Sequence, residues 1–101
     1  MSVAKTILRQ IQAQDPHALM AWGANRFIGT KNGVSFHIRT PKYKKGVHVK
    51  ITLNDYDTYD IEVIRISGVT REVIDTQNGV FCDMLIDSLD SLIDEKEIVL
   101  F

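Results

Sequence analysis

Val47-His48-Val49-Lys50-Ile51-Thr52-Leu53, then Asn54-Asp55-Tyr56-Asp57-Thr58, then Tyr59-Asp60-Ile61-Glu62-Val63 is the stretch whose reading decides the fold. Apolar and polar residues alternate on both sides of a polar connection. A period of two places alternate side chains on opposite faces of a strand. Asn and Asp favour turns, because their side chains bond nearby backbone amides. The stretch therefore reads as an antiparallel hairpin, and a five-residue connection at 54–58 sets its register. Leu53 faces Tyr59 and Ile51 faces Ile61 on one side. Lys50 lies opposite Glu62 and Thr52 opposite Asp60 on the other, where opposite charges in register attract.

Working outward, the same period continues. Val34, Phe36 and Ile38 alternate with Ser35, His37 and Arg39, and Arg26-Phe27-Ile28 is a short strand before them. Asn32-Gly33 between these two is a tight-turn signal. Pro41 and Gly46 bracket a polar loop. Beyond Val63, Ser67-Gly68 is a turn, Val69–Ile74 is a fifth strand, and Asn78-Gly79 ends the sheet. Every connection is short, so the strands form an antiparallel meander.

The ends of the chain change period. Ala4, Ile7, Leu8 and Ile11 recur at helical spacing, which predicts a short amphipathic helix over 3–14. Asp15-Pro16 reads as an N-cap followed by proline at the first helical position, opening a helix to Trp22 that Gly23 stops. Cys82, Leu85, Ile86, Leu89, Leu92 and Ile93 step by three and four, predicting a helix over roughly 80–95, and the apolar residues 98–101 form a docked tail or a sixth strand. Trp22, Met20 and Phe27 are assigned to the core. The expected fold is α+β: a five-stranded antiparallel meander packed against N-terminal helices and one C-terminal amphipathic helix, in a single domain over residues 1–101.

Composition agrees with a globular unit. Of 101 residues, 45% are hydrophobic and 25% charged, which argues against global disorder. One cysteine, Cys82, rules out an internal disulfide and fits a reducing compartment. Neither a signal-peptide core nor an apolar run of membrane-spanning length is present, so the expected location is the cytoplasm. Net charge is −1, yet residues 1–50 hold nine Lys/Arg and one acid, while residues 51–101 hold three Lys/Arg and twelve acids. Such halves either form surfaces of opposite sign or neutralise each other across neighbouring strands, and the strand order favours neutralisation.

No catalytic constellation emerges. His37 and His48 occupy outward strand positions and can approach each other, but with no third ligand at a fitting spacing they make no metal case. Cys82 falls on the apolar stripe of the last helix, where a buried thiol acts as a small hydrophobe. Asn54, Asp55, Asp57 and Asp60 lack the glycine and the closing glutamate of a calcium loop. Gly23, Gly29 and Gly33 match no phosphate-binding pattern. The expectation is a protein that is no enzyme and carries neither cofactor nor metal.

Two charged groups remain as interaction candidates. Arg39, Lys42, Tyr43, Lys44, Lys45 and Lys50 cluster about the polar loop, where lysines can track a phosphate backbone and Tyr43 can stack on a base. Asp83, Asp87, Asp90 and Asp94 form an acidic stripe on the last helix. Strands 26–29 and 69–74 carry nothing that blocks an edge, so a second copy could pair there.

One resemblance bears on function. Ile7-Leu8, Ala18 to Phe27, Val34-Ser35-Phe36, Val49-Lys50-Ile51-Thr52-Leu53-Asn54 with Asp57-Thr58-Tyr59-Asp60, and Val80, Asp83 and Leu85 follow in order over about residues 5–90. In this the chain resembles a family of short hypothetical proteins of bacteriophages and other mobile elements. The resemblance implies an accessory protein that binds a protein of its host or of the element, counter-defence included. The alternative is a nucleic-acid-binding accessory protein using residues 39–50.

Overall fold

The computed structural model describes residues 3–40 and 43–93. Helix α1 (Val3–Gln14) and the single turn α2 (Ala18–Ala21) precede five strands: β1 (Asn25–Thr30), β2 (Gly33–Thr40), β3 (Tyr43–Leu53), β4 (Tyr59–Ser67) and β5 (Thr70–Val80). A 3-10 turn (Cys82–Met84) leads into α3 (Leu85–Ile93). The strands form one antiparallel sheet in the order β1-β2-β3-β4-β5, the meander read from the sequence.

The central hairpin has the expected register, with Lys50 opposite Glu62, Ile51 opposite Ile61, Thr52 opposite Asp60 and Leu53 opposite Tyr59. Its connection is held by Asn54, whose Oδ1 accepts hydrogen bonds from the amides of Tyr56 and Thr58. The Asn54 Nδ2 donates to Thr58 Oγ1 and to Asp60 Oδ1. The acidic run is thus a turn in which Asn54 fastens both ends.

Alternation builds the core on one sheet face. Val34, Phe36 and Ile38, then Val47, Val49 and Ile51, then Tyr59, Ile61 and Val63 are all buried. They join Ala4, Ile7 and Ile11 of α1 and Leu85, Leu89, Leu92 and Ile93 of α3 in a single cluster. Helix α1 lies against β1 and β2, and α3 against β4 and β5. Polar ties join the layers. Thr40 donates its hydroxyl proton to the Ile93 carbonyl at the end of α3. Gln14 donates to the Cys82 carbonyl and accepts from the Ile86 amide, one of the N–H groups that a helix start leaves without an intrahelical partner. The buried Trp22 indole donates to Asp90 Oδ1 at 3.1 Å.

Several local expectations are corrected. The segment after Pro41 is strand rather than loop: β3 begins at Tyr43, which pairs with Thr40, and the ladder is irregular up to Val47, with Gly46 at φ +85°. Asn78-Gly79 does not end the sheet; β5 runs on to Val80 with Gly79 at φ +68°. The β1–β2 turn is Lys31-Asn32, since Thr30 pairs with Gly33. Gly33 is demanded by space, because a β-carbon there would sit 2.0 Å from the Ile51 carbonyl oxygen. Cys82 is exposed, since it precedes α3 in the 3-10 turn rather than riding its apolar stripe. Of the three assigned core residues only Trp22 is buried; Met20 is 81% exposed on the short α2, and Phe27, in the bulged first strand, is half exposed with its ring 5.5 Å from that of Phe36. The expected helix end at 94–95 and the tail 98–101 lie outside the described residues.

Candidate functional site

With both helices on one sheet face, the other face is built from the alternate residues: Ser35 and His37 of β2, His48, Lys50 and Thr52 of β3, and Asp60, Glu62, Ile64 and Ile66 of β4. The described helices pack on the opposite face, and Ile64 near the centre of this one is nonetheless buried at 2% exposure. The strand register reads out one row across its centre. Asn25 pairs with His37, His37 with His48, His48 with Ile64, and Ile64 with Val73.

The two imidazoles meet edge to face with ring centroids 5.2 Å apart. The His37 ring lies over Gly46, where a β-carbon would fall 2.3 Å from Nε2, so the glycine makes room for it. The His37 Nδ1 is buried without a hydrogen-bond partner. A shielded polar atom left unpaired costs about 1–3 kcal/mol. Burial lowers the pKa of His48 below the ordinary histidine value, and the charges of His37, Arg71 and Arg26 lower it further. Each of those basic neighbours disfavours the imidazolium of His48, and the ring contact between His37 and His48 is the close approach in this basic cluster.

Sheet irregularities shape this cluster. Between Asn25 and Ile28 strand β1 places one residue more than the facing segment of β2, and Arg26 sits in that bulge at φ +56°. The left-handed conformation is unfavourable for a residue with a β-carbon, and bulges redirect side chains. On the opposite edge Arg71 faces Ile66, two residues from the Val73 that closes the central row. Among the described residues neither Arg26 nor Arg71 has an ion-pair or hydrogen-bonding side-chain partner; Ile66, paired with Arg71, and Val73, two residues along, are 46% and 48% exposed.

The residues singled out from sequence are dispersed relative to this cluster. Lys50 belongs to the same open face, opposite Glu62. Arg39 and Lys45 are exposed at the end of the β2–β3 hairpin. Tyr43 is half-buried and packs against the core, because β3 starts at that residue. Lys44 lies within β3, and Lys42 and Asp94 are outside the described residues. On the acidic stripe, Asp83 and Asp87 are exposed, whereas Asp90 is half-buried and takes the Trp22 hydrogen bond. The approach of His37 to His48 is the part of the cluster legible in the alternation. Arg26 and Arg71 were not singled out. Arg71 shares its parity with Val73, a signal that puts it on the same face; the bulge that carries Arg26 has none.

Other features offer less. A shallow depression is lined by Asn54, Tyr56, Thr58, Asp60, Asn78 and Gly79. Its carboxylate is engaged, since Asp60 Oδ1 accepts from Asn54 and from the Gly79 amide. Among the described residues no group of three or more His, Cys, Asp or Glu side chains is placed to hold a metal ion, and no helix is long and apolar enough to cross a membrane. Compared with known proteins, the chain matches no family model, no curated protein and no solved structure.

Proposed function

We propose that this protein is a non-enzymatic binding module that seats a partner protein on its open sheet face. The observation that carries the reading is the makeup of that face. Half-exposed Ile66 and Val73 lie beside Arg71 on the face opposite the described helices. Apolar groups rimmed by charge suit a protein interface. Among the described residues no Phe, Tyr or Trp stands on this face, and base stacking needs such a platform. Tyr43, the residue best suited to that task from sequence, packs on the core. These points favour protein over nucleic acid.

The resemblance of the chain to short proteins of bacteriophages and mobile elements supports a biological setting. In that setting the protein acts in the bacterial cytoplasm on a host or element protein, counter-defence being one such role. The test is affinity capture from bacterial lysate with wild-type protein and with Ile66→Glu/Val73→Glu, each with and without nuclease. A polypeptide retained by wild type, lost by the double variant and indifferent to nuclease is expected. Loss on nuclease treatment would transfer the reading to nucleic acid, and equal capture by the double variant would remove the face from the interface.

A further inference from the structure

We infer that the free edge of β1 is a strand-addition site, and that it takes an extended acidic segment of a partner protein with apolar residues between its acids. The site is separate from the patch of Ile66 and Val73 invoked above, so each reading stands or falls alone.

The backbone supplies the first argument. β1 ends the sheet, with β2 as its neighbour on one side. In an antiparallel ladder alternate residues turn their N–H and C=O groups away from the paired strand. Along β1 those groups meet no second strand among the described residues, and every residue of the strand is exposed. An unpaired row of this kind is a template for another extended chain. The edge at β5 is less suited to the task, because its register against β4 shifts between Tyr59 and Ile61 and again between Val63 and Ile64. β1 shifts once, at its beginning, and Ile28, Gly29 and Thr30 then pair without interruption with Ser35, Val34 and Gly33.

Side chains supply the second. The Phe27 ring lies 5.5 Å from that of the buried Phe36, so Phe27 stands on the helix side of the sheet. Ile28 pairs with Ser35 and stands on the other side. The two are 45% and 59% exposed. An added strand alternates its own side chains between the two faces, so it meets an apolar neighbour on each. On the helix side α1 comes down close to the middle of the edge, where a β-carbon on Gly29 would lie 3.3 Å from the Ala4 Cβ.

Charge identifies the occupant. Arg26 and Lys31 flank the stretch from Phe27 to Thr30; both are exposed and, among the described residues, without an ion-pair partner. Asp15 is the one acid before residue 55, and its side chain accepts from the His17 amide. The elements around this edge, α1, α2 and β2, therefore disfavour a basic chain, a second copy of the same edge included, and favour an acidic one. Carboxylates at either end of a short apolar stretch meet Arg26 and Lys31. A nucleic acid offers phosphates to these cations but no main-chain amides to continue the ladder.

The experiment uses the full chain, 15N-labelled, with three probes: the peptide acetyl-Glu-Val-Ile-Val-Thr-Glu-amide, its counterpart with Lys in place of both Glu, and the oligonucleotide dT10. Amide shifts and hydrogen exchange are followed along β1. The expected result is that the acidic peptide binds and slows exchange within Phe27–Thr30, while the lysine counterpart does not bind. Two further versions of the acidic peptide are N-methylated at alternate residues, in one phase or the other. One phase binds and the other fails, because one set of peptide amides faces the edge. Arg26→Gln and Lys31→Gln each weaken binding about two- to fivefold, the range for exposed ion pairs. Ile28→Glu abolishes it, and Ile66→Glu/Val73→Glu binds as wild type does. Failure of the acidic peptide to bind, equal binding of the two N-methylated peptides, tighter binding of dT10, or β1 amides already protected in the free protein would each overturn the inference. Equal binding reduces the contact to side chains, and tighter dT10 assigns the edge to nucleic acid. Protection without a probe gives the edge to a second copy where it rises with concentration, and to residues of the same chain where it does not.

Discussion

Two glycines show how one substitution acts through different physics. At Gly33 a β-carbon meets the Ile51 carbonyl oxygen at 2.0 Å, a backbone atom that cannot step aside. Gly33→Ala should lower unfolding free energy by about 1–3 kcal/mol, as overpacking does. At Gly68, with φ +60°, a β-carbon meets nothing within 4 Å, so strain alone opposes it. Gly68→Ala should lose about 1 kcal/mol, while Gly68→Asn, whose side chain tolerates this region, should lose less; urea midpoints compare all three. Titration behaves just as locally. His48 has a lowered folded-state pKa, so its contribution is present above the unfolded value of 6.5 and is lost as pH falls through the folded value. Tyr59 runs the other way: burial raises its pKa from 10.0, and its contribution is lost as pH climbs past that figure. His48→Gln should therefore flatten the acid limb of a stability–pH curve and leave the alkaline limb in place.

Secondary-structure elements dock through few side chains, and their removal has a large effect. Ile7 of α1 and Leu89 of α3 are both fully buried against the sheet. Ile7→Ala and Leu89→Ala should each destabilise by about 2–5 kcal/mol in denaturant titration. Trp22→Phe leaves the Asp90 carboxylate without its indole donor and should lose about 1.5–3 kcal/mol, the range for hydrogen bonds to charged groups. Asp90→Asn keeps an acceptor and should lose less. At this scale the sequence was informative where a regular period ran into a connection of defined length. That is why Leu53–Tyr59 and Lys50–Glu62 pair as read. It was uninformative where backbone geometry interrupts the period. The bulges at Arg26 and Gly79 and the irregular start of β3 depend on twist and on neighbouring strands. The same interruptions hid Arg26 from the candidate site and brought Tyr43 onto the core. A helical stripe likewise gave no warning that its first turn is 3-10, which leaves Cys82 in solvent.

The described residues form a sheet with one greasy side under helices and one mixed side on which no described helix packs. Opposite charge in the two halves of the chain is partly interleaved, as Lys50 faces Glu62, and partly separate, as Asp83 and Asp87 stand exposed near α3. An open sheet has edges that can pair with other copies, and the register shifts of β5 against β4 are irregularities of the kind that discourage such pairing. Deleting Gly79 to straighten β5 should increase concentration-dependent oligomerisation on size-exclusion chromatography relative to wild type. The hydrogen bond between Trp22 and Asp90 has an optical consequence as well. Trp22 is the one tryptophan of the chain, buried, with its indole fastened to the final helix. Its fluorescence is therefore a built-in gauge of whether that helix is seated. An emission shift to the red that precedes loss of sheet circular dichroism on heating would time the helix's departure without any added dye.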